Sequence, residues 1–138
     1  MSLFGSSGPE ITYRSVFTTS MQNELPIDNV DKISINTERI YIFVYWYNLK
    51  AGKNYQYKCN IYDGEGHLVL TSSMKFKPTD TSWNSWTWYY ISSSVDKPGE
   101  WKFEIFLKNK KVFEKYLTVL PPDETNVDGP IIPGSVGV

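Results

Sequence analysis

Apolar and polar positions alternate with a period of two along most of the chain, between Gly, Pro, Asn and Asp punctuation. No stretch of about ten residues carries apolar positions at helical spacing, so the pattern predicts strands throughout. The first runs from Ile11 to Ser20 and is followed by a polar connection through Asn23 and Pro26, then a short apolar pair at Ile33 and Ile35. The strongest is Arg39 to Asn48. There Ile40, Ile42, Val44 and Trp46 face one way and Tyr41, Phe43, Tyr45 and Tyr47 the other. Neither face suits water, which predicts a central strand.

Beyond a turn at Ala51 to Asn54, Tyr55, Tyr57, Cys59 and Ile61 alternate with Gln56, Lys58 and Asn60, one buried face against one wet face. Asp63-Gly64-Glu65-Gly66 closes a hairpin, because glycine tolerates the positive φ of tight turns. Leu68, Leu70, Met74 and Phe76 continue the alternation, with Ser72 as its weak point, up to a polar loop over Lys77 to Ser82. The segment Trp83 to Ile91 is unusually aromatic. Pro98-Gly99 marks the next turn, after which Trp101, Phe103, Ile105 and Leu107 alternate with Lys102, Glu104, Phe106 and Lys108. Asn109-Lys110 then turns the chain into a last strand, Val112 to Leu120. Seven or eight strands spaced by roughly 8 to 12 residues predict an all-β sandwich, with a small barrel as the other arrangement.

Length fits this pattern. Of 138 residues, 1–9 are small and Gly/Ser-rich and read as a tag or linker. Residues 121–138 are rich in Pro and Gly and read as a tail, in which Ile131 and Ile132 offer an apolar pair able to dock on a neighbouring surface. Residues 10–120 are then one sandwich domain of ordinary size. Fourteen Lys and Arg are scattered among fifteen acids, with no basic stripe, which argues against a nucleic-acid partner. The longest apolar run, Ile40 to Tyr47, is far short of a membrane span. A single cysteine, Cys59, forms no internal disulfide and reads as a small core residue, so stability comes from packing. Aromatic residues make up 16% of the chain, with ten Tyr and five Trp, and this excess is the strongest clue to function.

Three local patterns carry a resemblance to known proteins. One is the aromatic strand ending Trp46-Tyr47-Asn48-Leu49, followed by the Tyr62-Asp63-Gly64-Glu65-Gly66 turn; another is Trp86-Thr87-Trp88. The third is Pro98-Gly99-Glu100-Trp101-Lys102-Phe103-Glu104-Ile105, the Asn109-Lys110 turn and a closing strand ending Leu117-Thr118-Val119. From about Ile33 to Val119 the chain resembles a loose group of bacterial immunoglobulin-like accessory domains. That resemblance implies an immunoglobulin or fibronectin-III-like antiparallel β-sandwich. Its glycine turn is here replaced by one carrying Lys110. The motifs are structural, and none performs chemistry.

The residues for catalysis are thin. The sole histidine, His67, sits at a hairpin end with no nucleophile motif around it. One His and one Cys at unrelated positions fall short of a transition-metal ligand set, and no cofactor is expected. Asp28 with Asp31, or Asp63 with Glu65, are the loop carboxylates that calcium would use, and they read first as solvated turn residues. An enzyme or enzyme subunit therefore ranks last.

Two binding readings remain. In the first, Trp83, Trp86, Trp88 and Tyr89 form an aromatic platform for a glycan, stacking on sugar rings. Ordinary packing competes with it, with Trp86, Trp88 and Tyr90 facing the core and Trp83 covering a sheet end. In the second, Tyr41, Phe43, Tyr45 and Tyr47, or an open sheet edge, meet a protein partner within a larger assembly, a homodimer included. Packing against the second sheet is the competing account of that face. Protein binding or scaffolding ranks ahead of carbohydrate binding, and a cell-envelope or secreted setting ahead of the cytoplasm.

Overall fold

The computed structural model describes residues 10–122, so the expected tag at 1–9 and most of the tail, Ile131 and Ile132 included, lie outside the described residues. In chain order the strands are β1 (Thr12–Thr18), β2 (Met21–Gln22), β3 (Leu25–Pro26), β4 (Lys32–Ser34), β5 (Arg39–Tyr47), β6 (Tyr55–Tyr62), β7 (Leu68–Phe76), β8 (Trp83–Tyr90), β9 (Gly99–Leu107) and β10 (Lys110–Leu120). They form a three-stranded sheet ordered β1-β5-β8, a five-stranded sheet ordered β4-β10-β9-β6-β7, and the small hairpin β2-β3. The two larger sheets pack face to face as a β-sandwich around one core. Strand β5 is central, as its two apolar faces require.

The pairing is antiparallel except between β10 and β4, where Val119 lies beside Ile33 in a parallel pair. The two strands beyond the expected eight are β2 and β3. No glycine announces their turn; Asn23 and Glu24 both adopt positive φ there. Asp28 holds the base of this excursion by accepting from the Thr18 hydroxyl, the Thr19 amide and the Thr19 hydroxyl.

The core takes Ile40, Ile42, Val44 and Trp46 from β5, Tyr55, Tyr57, Cys59 and Ile61 from β6, and Trp101, Phe103, Ile105 and Leu107 from β9. Each buried aliphatic or aromatic side chain contributes about 1.5–3 kcal/mol. Two hydrogen bonds serve the polar tips carried inside. Trp46 Nε1 donates to Ser85 Oγ at 2.9 Å, and the Tyr57 hydroxyl bonds Thr87 Oγ1 at 2.9 Å, joining the two sheets. Cys59 is fully buried, and burial pushes its thiol up to about 12.

Two turns meet at one end. The Gly64 amide donates to the Lys97 carbonyl, and a Cβ at Gly64 would fall 1.8 Å from the Pro98 carbonyl oxygen. Gly99, at φ +129°, completes this backbone contact. The β9-β10 turn differs from expectation. Leu107 pairs with Lys110, so its central residues are Lys108 and Asn109, both at positive φ, rather than Asn109 and Lys110.

β1 lies over β10: Tyr13 stacks on Phe113 with centroids 4.1 Å apart, and Lys115 Nζ donates to the Ser15 carbonyl at 2.7 Å. These two contacts make β1 and β10 run in the same direction, so Thr12 and Leu120 stand at opposite ends of the sandwich.

Candidate functional site

The outer face of the three-stranded sheet carries the aromatic excess. Its register builds cross-strand rungs: Arg39 beside Tyr90, Thr18-Tyr41-Trp88, Val16-Phe43-Trp86, Arg14-Tyr45-Asn84, and Thr12 beside Tyr47. The competing account by ordinary packing has Trp86, Trp88 and Tyr90 facing the core; the structure places all three on this outer face. The cause lies on the other side of β8, where Ser85 and Thr87 point inward and hold Trp46 and Tyr57. These two central inward positions are small because their partners are large.

The expected platform set is thereby divided. Trp86 and Trp88 share the outer face, whereas Trp83 and Tyr89 face inward with Ser85 and Thr87. Trp83 stacks on Phe76 with planes 7° apart. Tyr89 donates to both carboxylate oxygens of Asp96; burial first, and that carboxylate second, push its hydroxyl up to about 12. It is therefore no proton acceptor near neutral pH.

The tyrosine set lies wholly on the outer face, which overturns the competing account that packs it against the second sheet. Solvent reaches it unevenly. Phe43 is closed to solvent, with Trp86 stacked at 3° on one side and Tyr45 tilted on the other, while Tyr47 is exposed. The β2-β3 hairpin helps to close the centre: β3 touches β1, and Asn23, Glu24 and Leu25 share a cleft of about 400 Å³ with Asn84 and Trp86.

At the β8 side the face is open and held rigid. Trp88 is 45% exposed and Tyr90 51%, with their rings at 80° to each other. Arg39 pins this corner. Its Nη1 donates to the Tyr41 hydroxyl at 2.8 Å and its Nη2 to the Tyr90 hydroxyl at 2.7 Å, and its guanidinium lies 5.3 Å from the Trp88 ring centre. Arg39 reads as an ordinary strand-start residue in sequence; only the register beside Tyr90 brings it to the site.

The edge of β8 continues this corner. The Ile91 amide bonds the Glu38 carbonyl directly opposite it, which fixes the phase of the antiparallel ladder. Tyr89, Thr87, Ser85 and Trp83 thus bond to β5, and the amides and carbonyls of Asn84, Trp86, Trp88 and Tyr90 point away from it. Beneath that edge runs a cleft of about 460 Å³ lined by Leu70 and Ser72 of β7 and by Trp86, Thr87, Trp88, Tyr89 and Tyr90. No ionisable acid or base lines it apart from the tyrosines.

Among the described residues no group of three or more His, Cys, Asp or Glu side chains is placed to hold a metal. The Asp63 carboxylate accepts from the Glu65 and His67 amides, and Asp28 from Thr18 and Thr19, so both act as turn staples. His67 stands at the hairpin end, 3.4 Å from Asp63. No helix among the described residues is long and apolar enough to cross a membrane.

Two layers, this strand order and an aromatic-lined core define an immunoglobulin-like β-sandwich. Among solved structures the chain is similar to an immunoglobulin-like protein from Pseudomonas aeruginosa, with a TM-score of 0.55 and 13% identity over 83% of this chain and 99% of that one. At that identity the likeness is one of fold. No protein-family model matches the sequence, and no curated protein does.

Proposed function

We propose that this protein is a non-catalytic binding module that recognises another protein through the β8 side of its aromatic face. The observation that carries this is the corner of Arg39, Trp88 and Tyr90. Arg, Trp and Tyr are the residues that dominate the energy of protein interfaces, and here hydrogen bonds and ring contacts hold the three in place before any partner arrives. Little side-chain freedom remains to be lost on binding. A scaffolding role in an envelope or secreted assembly fits such a module.

A glycan is the second reading, favoured by the exposed indole of Trp88. The 80° angle between Trp88 and Tyr90 works against it, because stacked sugars need a flat strip rather than a corner. The experiment is site-directed photocrosslinking in the native host, with a photoreactive residue at Trp88 or, as a control, at Lys102 on the outer face of the other sheet. A discrete protein adduct from position 88 alone is expected. Equal labelling from both positions, or saturable fluorescence changes with a glycan panel and no adduct, overturns the protein reading.

A further inference from the structure

The edge strands of this sandwich are not equally protected. β1 is covered where Lys115 bonds the Ser15 carbonyl and where the Val30 amide bonds the Phe17 carbonyl. β7 carries Lys75 and pairs with β6 through a register shift at Ile61. β4 is three residues long. β8 differs from all of them: its eight residues, Trp-Asn-Ser-Trp-Thr-Trp-Tyr-Tyr, include no charge and no proline, and its register against β5 has no bulge. Charge, proline, bulges and shortness are the devices that keep a sheet edge from pairing with another strand, and β8 has none of them.

Its outward amides and carbonyls, at Asn84, Trp86, Trp88 and Tyr90, make no hydrogen bond to the described residues. They belong to the same residues whose side chains form the open aromatic corner. We infer that β8 accepts an extended strand from another polypeptide by antiparallel or parallel addition, and that this strand is uncharged with large apolar side chains at alternate positions. The inference rests on the protein-binding reading above and names how that site is used.

The chemistry of the occupant follows from the two sides of β8. One set of its side chains enters the cleft over Leu70, Ser72 and Thr87, where no ionised group waits, so these are apolar and large enough to fill about 460 Å³. The other set lies beside Trp86, Trp88 and Tyr90. A second copy of β8 fits the backbone but not the cleft, because its inward Trp83 and Tyr89 are already held by Phe76 and Asp96 of their own chain, which leaves only Ser85 and Thr87 to enter. The chain's own Ile131-Ile132 pair is flanked by Pro130 and Pro133, which lack the amides that strand addition uses.

The test is amide hydrogen exchange by NMR on the full chain, alone and with a synthetic peptide. The peptide has about a dozen residues, alternating Val or Leu with Thr or Ser and ending in Lys for solubility. In the free protein the Ser85, Thr87 and Tyr89 amides, bonded to β5, are expected to exchange slowly and those of Trp86, Trp88 and Tyr90 fast. Added peptide is expected to slow the second set by roughly tenfold or more. N-methylation at alternate peptide positions should abolish binding in one phase and spare it in the other. A peptide that binds with no such phase dependence overturns strand addition while leaving the aromatic corner as a side-chain site, and absence of binding at millimolar peptide overturns it too. Protection of the same amides without peptide overturns the separate donor: the occupant is a second copy if it grows with protein concentration, and the chain's own tail if truncation after Pro122 removes it. Crosslinking from position 88 judges the protein-binding reading independently of all these outcomes.

Discussion

At the scale of single residues, Gly64 is the position that tolerates least. Its φ is not what demands glycine; the demand is space, since a Cβ would fall 1.8 Å from backbone that cannot turn aside. Gly64→Ala is expected to cost about 2–4 kcal/mol in urea unfolding. Gly52→Ala, where a Cβ meets nothing but φ is +80°, should cost only about 1 kcal/mol. A loss at Gly64 no larger than that at Gly52 would mean that the two turns do not press together there. Next to Gly64, Asp63 gives a dependence on pH. Burial pushes its carboxyl up, but the amides of His67 and Glu65 outweigh this and hold it below the ordinary value of 3.8. Because its folded pKa is depressed, its contribution is present above pH 3.8 and is lost as pH falls through the lower folded value. Asp63→Asn should lower stability at neutral pH and flatten the fall in stability with acid, measured as urea midpoints between about pH 5 and pH 2. A variant that loses stability in parallel with the wild type down to pH 2 would show that this carboxylate is not the source.

Individual strands were legible in the sequence to different degrees, for identifiable reasons. β6 and β9 set Tyr, Cys, Ile, Trp and Phe against Gln, Lys, Asn and Glu, and their buried faces are the expected ones. In β8 both sets contain aromatics, so size pointed the wrong way, and the Ser85 and Thr87 hydroxyls decided the matter through partners on β5 and β6. Such long-range pairs leave no local signature. The β2-β3 hairpin was invisible because Asn23 and Glu24 hold positive φ without glycine. The β9-β10 turn makes the same point in a form that can be tested. Lys108 and Asn109 occupy the two positive-φ positions that Asn-Gly favours in a two-residue hairpin. Replacing them by Asn and Gly should raise stability by about 0.5–1 kcal/mol, read as a higher melting temperature. An unchanged or lower value would mean that Lys108 contributes more through its neighbours than its backbone costs.

Across the whole molecule, the two expected site groups, one tyrosine-rich and one tryptophan-rich, came from strands 37 residues apart in the register pair nearest in sequence, Trp46 with Trp83. The sequence shows each group but not that β5 and β8 are neighbours, so it could not show that Tyr41 and Trp88 share a rung. Strand order makes one surface of them, and it also sets β8 over β7 as the open flank. That flank is where both proposals above are tested. A different consequence follows from the course of β1 and β10. They run in the same direction and leave Thr12 and Leu120 at opposite ends, so tension applied along the chain pulls each strand lengthwise against its neighbour. The seven residue pairs of β1 with β5 would then carry the load together instead of opening one after another. In a chain of such units under pull, the sandwich would behave as a link that resists stretch, with its recognition flank set to one side of the line of force.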